Sequence, residues 1–208
     1  MAYTTINKHT DYFNTKLYTG NGSVRTETGV GFQPDFTWIK DRTGTNAHTL
    51  TDAVRGANYQ IYTNLTNAQT NASGYLTAFA SDGFTLGTDG AINQNSSNYV
   101  AWNWKAGGSG SANTSGSTNS TVSVNTTAGF SIVSYTGTGS NATIGHGLGV
   151  APKMIIIKNR SQSNGWIVGH EELDATNPWH KYIELNSASA AQDLNTIWND
   201  TAPTNTLF

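Results

Sequence analysis

The sequence predicts an all-β protein on three observations: a scarcity of charge, an excess of turn-forming residues, and a series of motifs that occurs twice in the same order. Only 12% of the 208 residues are charged, about half the roughly 25% of an average soluble domain. Gly, Asn, Ser and Thr replace the missing charge, and these residues bond locally to the backbone or lack helix propensity. The length suffices for one large domain or two small ones, each with a hydrophobic core.

The repeated motifs fix the organisation. Tyr18–Ser23 reads YTGNGS and Tyr135–Ser140 reads YTGTGS. GVGFQPDFTWIKDR (Gly29–Arg42) follows the first, and GHGLGVAPKMIIIKNR (Gly145–Arg160) follows the second. Pro34 thereby pairs with Pro152, Lys40 with Lys158 and Arg42 with Arg160, while Phe13 pairs with Phe130 upstream and Tyr59–Asn64 resembles Lys181–Asn186 downstream. An ordered series of this kind indicates duplication. Residues 1–106 are expected to form the first copy, 107–121 a linker, and 122–208 the second copy. Gly107–Asn119, GGSGSANTSGSTN, has the composition of a flexible linker with too little apolar surface to order itself. SDGFTLG (Ser81–Gly87) and YVAWNWK (Tyr99–Lys105) complete the first copy, but the second reaches Trp198 and Phe208 with no match to that last strand. The second copy is therefore expected to be incomplete.

The strands follow from alternation and from flanking turns. Tyr99–Trp104 sends Val100, Trp102 and Trp104 one way and Tyr99, Ala101 and Asn103 the other. The alternating tryptophans, Trp38 included, are expected in the core. Phe36–Ile39 and Met154–Ile157 are continuously apolar or nearly so, as in a strand covered on both faces. Phe84–Leu86, Phe130–Tyr135, Trp166–Val168 and Tyr182–Leu185 complete the set, whereas Ala53–Tyr62 and Ala188–Ile197 could each hold a helical turn. Short strands broken by turns such as Asp82-Gly83 and Asp89-Gly90 suggest two antiparallel sheets face to face, a β-sandwich of jelly-roll type, with a small barrel as the alternative.

Reactive chemistry finds little support. With no cysteine, disulfides, thiolate metal sites and a cysteine nucleophile are excluded. His170-Glu171-Glu172 lacks the second histidine of a zinc helix, because position 174 is Asp174. No Gly-x-Ser-x-Gly elbow is present, and Gly145–Gly149 lacks the lysine of a phosphate loop. Asp82 with Asp89, or Glu171 with Asp174, could face each other as a glycosidase pair, but turn formation explains the first. Asp82, Asp89, Asn93 and Asn95 could offer oxygen to calcium without the EF-hand spacing. Neither a metal, a cofactor nor an enzymatic role is expected. Eleven Lys and Arg against thirteen Asp and Glu give a net charge of −2, which argues against nucleic acid and anionic membrane as partners. No run of apolar residues is long enough to span a bilayer.

Relative to the first copy, the second gains about four residues around Asn177-Pro178-Trp179-His180. Recognition residues sit on such loops. Trp179 could stack on a sugar ring while His180 and Asn177 supply hydrogen bonds, unless Trp179 folds back to seal the edge of the core.

The set FQPDFTWIKDR, DAVRG (Asp52–Gly56), SDGFTLG, YVAWNWKAGG, YTGTGS and IIIKNR resembles the repeated domain in tail-fibre and related virion proteins of marine bacteriophages infecting cyanobacteria and other oceanic bacteria. The resemblance implies two concanavalin-like, jelly-roll sandwiches in tandem, a place on the virion exterior, and contact with host-surface polysaccharide. A purely architectural fibre-shaft or decoration module is the alternative, and a polysaccharide depolymerase the third. The open edge of the incomplete copy is expected to be closed in a homo-oligomer, a trimer if the chain belongs to a fibre, beside other virion proteins.

Overall fold

The computed structural model describes residues 6–208. Among the described residues, short stretches rich in apolar and hydroxylated side chains form strands: β1 (Phe13–Thr19), β2 (Arg25–Thr28), β3 (Phe36–Asp41), β4 (Thr49–Asp52), β5 (Tyr59–Tyr62), β6 (Thr70–Asn71), β7 (Leu76–Ala80), β8 (Gly83–Leu86), β9 (Asn98–Trp104), β10 (Ser111–Asn113), β11 (Ser120–Asn125), β12 (Phe130–Tyr135), β13 (Met154–Lys158), β14 (Trp166–His170), β15 (Lys181–Glu184) and β16 (Gln192–Asp193). Two single-turn helices, α1 (Gly90–Asn93) and α2 (Asn195–Trp198), accompany them. The described residues form an all-β fold with antiparallel sheets and no barrel among them.

In the first half, a six-stranded sheet of order β1-β9-β3-β4-β5-β6 faces a three-stranded sheet of order β2-β8-β7. Tyr18, Ile39, Tyr99 and Ala101 come from the larger sheet, and Leu76, Phe84 and Leu86 from the smaller. With Val30, Phe32 and Ile92 they form one buried cluster. Removing this apolar surface from water is the main stabilising term. Asp82 accepts from Gly29 N–H and Gly31 N–H, which ties the β7–β8 hairpin to the loop after β2.

In the second half, β10-β11-β12 form one sheet and β13-β14-β15-β16 another. The registers of the first half recur with the spacing of the sequence motifs. Phe36 opposes Asp52 and Trp38 opposes Leu50, as Met154 opposes His170 and Ile156 opposes Val168. Leu50 opposes Ile61 as Val168 opposes Ile183, and Gln60 opposes Thr70 as Tyr182 opposes Gln192. The turn bonds recur too. Lys40 Nζ donates to the carbonyls of Asp41 and Gly44, and Lys158 Nζ to those of Asn159 and Gln162. His48 N–H donates to Asn64 Oδ1, as Trp166 N–H does to Asn186 Oδ1.

Several expectations need correction. The side chains of Tyr99, Ala101 and Asn103 point into the core, with no exposed surface, whereas Trp38, Trp102 and Trp104 lie half-buried on the opposite face. The alternation was legible, but the second half supplies the cover for the other face. There Phe130 packs against both Phe36 and Trp104, and Trp166 joins Leu50 and Ile61. Trp166 Nε1–H donates to the carbonyls of Tyr62 and Leu65 across the contact. β13 is covered on one face only: Met154 and Ile156 are 55% and 43% exposed. Residues 53–62 hold a turn and then β5 rather than a helix, with Arg55 paired to Asp52 in a buried bridge; α2 does lie at the end of Ala188–Ile197. Within Gly107–Asn119, β10 pairs with β11. Backbone bonds supply the order there that apolar burial could not.

Candidate functional site

A cleft of about 690 Å³ lies in the second half, and its apolar walls come from Tyr135 at the end of β12, Ile155 and Ile157 of β13, Trp179, Trp198 and Phe208. Each wall has a local cause. Tyr135 ends a strand and is followed by the Gly137 and Gly139 turn, with Gly139 at φ 78°. Ile155 and Ile157 share the inward face of β13. Trp179 sits in a 3-10 turn, Pro178–His180, with Pro in the first turn, where its missing N–H costs nothing.

Trp179 and Trp198 meet edge to face, with ring centroids 5.4 Å apart. They lie over Gly169 of β14. A Cβ at that position would come within 2.7 Å of each ring, so the absence of a side chain lets the two indoles approach the strand. Trp198 Nε1–H donates to Lys181 O, which anchors α2 on β15. The chain then reverses through Asn199 and Asp200, both at positive φ. Its last residues pair with Ile144 and Gly145: Ile144 N–H donates to Phe208 O, and Phe208 N–H to Ile144 O. His146, 2% exposed, accepts from Leu148 N–H at Nδ1, and its Nε2 lies 3.2 Å from Thr204 O. That pattern requires the neutral imidazole with the proton on Nε2, and burial lowers the pKa of the ring.

The three residues singled out from the sequence are neighbours here, but they differ in presentation. Trp179 is 7% exposed and turned into the cleft wall, with Trp198 against it. His180 is half-buried, with Nδ1 3.5 Å from Asp200 Oδ1. Asn177 is exposed at the cap of the turn, and its carbonyl accepts from His180 N–H. Sequence reasoning missed Tyr135, Trp198 and Phe208 as members of the site. Tyr135 stands in the YTGTGS motif and could have been found from Tyr18; no local pattern marks the other two.

Of the polar residues considered for metal or acid-base work, Asp82, Asp89, Asn93 and Asp174 are occupied by backbone donors, and Glu171 pairs with Lys153. Asp89 caps α1 by accepting from Ala91 N–H. Asn93 accepts from Asn21 N–H and donates to the carbonyls of Ser23 and Gly87. Asp174 accepts from Thr176 N–H and Asn177 N–H, and these two bonds hold its carboxyl below the ordinary carboxylate range. Among the described residues, no group of three or more His, Asp or Glu is placed to hold a metal ion, and no helix is long and apolar enough to cross a membrane.

Fold and cleft together define an all-β protein with a sandwich-like first half and a cleft with aromatic and aliphatic walls in the second. Residues 8–208 match the model of a domain of unknown function, DUF7483, and the chain belongs to that family. No curated protein and no solved structure matches it.

Proposed function

We propose that the chain is a structural, non-enzymatic module of a bacteriophage virion appendage of the tail-fibre type. Its two halves are taken as tandem concanavalin-like, jelly-roll units. The observation that supports this best is the way the halves lock together. The rings of Phe36, Trp104 and Phe130 interleave, and Trp166 is buried against Leu50 and Ile61 with its indole N–H bonded across the junction. Such a junction makes two units one stiff body, which is what an appendage needs to hold its loops away from a particle. The resemblance of the motif set to marine phage fibre proteins supplies the location on the virion exterior.

On this reading the exposed loops contact host-surface glycans, with Asn177 and His180 as hydrogen-bonding residues on the rim beside Trp179. The burial of Trp179 favours the second reading, an architectural module without a ligand. Other virion proteins and a homo-oligomer, a trimer in a fibre, are the partners proposed. Mass spectrometry of gradient-purified particles of a phage encoding the chain tests the assignment, and its absence from them would sink it. Binding of the purified chain to host cells, lost in Asn177→Ala/His180→Ala, would select glycan contact over the architectural role. Sedimentation of the purified chain reports the oligomer.

A further inference from the structure

The chain contains two Asn-Gly pairs, Asn21-Gly22 and Asn164-Gly165. Both asparagines are exposed in loops, Asn21 after β1 and Asn164 between β13 and β14. An asparagine followed by glycine is open to attack on itself, because a residue without Cβ lets its backbone nitrogen reach the preceding side-chain amide carbon. Whether it does so depends on what holds the two groups.

At Asn21 both are held. Gly22 N–H donates to Asn93 O at 2.8 Å, and Asn21 Oδ1 accepts from Ser23 N–H at 2.9 Å. Asn21 N–H donates in turn to Asn93 Oδ1 at 3.0 Å, and Asn93 has no exposed surface, so the loop is fastened to the core. At Asn164 the backbone N–H donates to Gln162 O at 3.0 Å, but among the described residues neither Gly165 N–H nor the Asn164 side chain has a hydrogen-bond partner. Trp166 N–H, the next along, is bound to Asn186 Oδ1 at 2.6 Å. One peptide unit is thus left free just before β14.

We infer that Asn164 is a site of spontaneous deamidation and that Asn21 is protected from it. Gly165 N gives its proton to hydroxide and forms a bond to Cγ of Asn164. The Cγ–Nδ2 bond breaks, and the amide nitrogen takes a proton from water and leaves as ammonia, which regenerates the hydroxide. Water then opens the resulting succinimide. Opening at Cγ leaves an aspartate, whereas opening at the backbone carbonyl carries the main chain through Cγ as an isoaspartate, lengthened by a methylene. Either product adds a carboxylate beside Glu184, whose Oε1 lies against Gly165, only 2.9 Å from where a Cβ would stand. Like charges there repel. The lengthened backbone also displaces Trp166, whose indole N–H reaches the carbonyls of Tyr62 and Leu65 in the first half. Deamidation at Asn164 therefore loosens the junction between the halves.

The test is peptide mapping by mass spectrometry of the purified chain, incubated at mildly alkaline pH with and without urea. In the folded chain Asn164 should convert about tenfold or more faster than Asn21, whose hydrogen bonds must break first. In urea the two should convert at comparable rates. The assignment is overturned if Asn21 keeps pace in the folded chain, or if Asn164 converts only in urea. The melting temperature of the wild type should fall with the extent of conversion and hold steady in Asn164→Gln, whose longer side chain closes the ring less readily. An equal fall in the incubated variant would overturn the link to the junction.

Discussion

The ring of Tyr135 meets the ring of Phe208 at 6.1 Å and 69°, the edge contact that Tyr18 makes with Phe84 at 6.3 Å and 67°. Around Phe84, however, Tyr18 also stacks on Tyr99 at 5.1 Å and donates to Ile92 O. Phe84 has no exposed surface, while Phe208 is half-buried. One contact is thus set within a closed core and the other at the wall of an open cleft.

The two phenylalanines should therefore differ in what their loss costs. Phe84→Ala leaves a cavity that the two sheets cannot collapse around, and should destabilise by about 3–5 kcal/mol. Phe208→Ala should cost roughly 1 kcal/mol, because water already reaches the ring. Urea denaturation of the two variants compares them directly, and equal losses would contradict the asymmetry.

Trp179 is predicted to matter for stability whatever it does for binding. Trp179→Ala removes the ring that Trp198 and Gly169 pack against, at a cost of about 3–5 kcal/mol. Gly169→Val forces a side chain into the space of both indoles and should cost roughly 1–3 kcal/mol through overpacking. Chemical denaturation measures both, and a neutral Gly169→Val would show that the indoles can move aside.

Asp41 carries a pH dependence whose sign can be assigned. Burial raises its pKa, but hydrogen bonds from Gly44 N–H, Thr43 N–H and Asn46 Nδ2 outweigh this and hold the value below the usual one. A depressed folded-state value means that the stabilisation is whole above the unfolded pKa of about 3.9 and is lost as pH falls through the folded value. Asp41→Ala should cost about 2 kcal/mol at neutral pH by leaving these donors unpaired. Below the folded value the gap between variant and wild type should narrow, which thermal melts at several pH values will register.

His146 gives a second dependence in a higher window. Burial lowers its pKa, outweighing the opposing bond to Thr204 O. The stabilisation by the neutral ring is therefore complete above about pH 6.5 and declines as pH falls through the folded value. Protonation would also oppose the bond from Leu148 N–H to Nδ1. His146→Gln should melt at a lower temperature than wild type at neutral pH and lose less on acidification. Parallel melting curves for the two proteins across the window would refute this account.

The β class, the strands β3, β8, β9 and β12 to β15, and the correspondence of Lys40 with Lys158 were legible in the sequence, because turn residues and alternation act locally and the motifs recur in order. Alternation along Tyr99–Trp104 also separated two sets of side chains. It could not say which set faces the core, since both faces of that sheet are covered, one by Phe84 and Leu86 and the other by Phe130 and Trp166 from more distant chain. The same holds for the site: Trp179 was visible as an unusual residue in an inserted loop, but its burial depends on Gly169 and Trp198, and the cleft depends on Tyr135, Ile155 and Phe208 meeting from remote parts of the chain. Local chemistry determined the strands of this protein, and only the packing of remote segments decided which surfaces remain open.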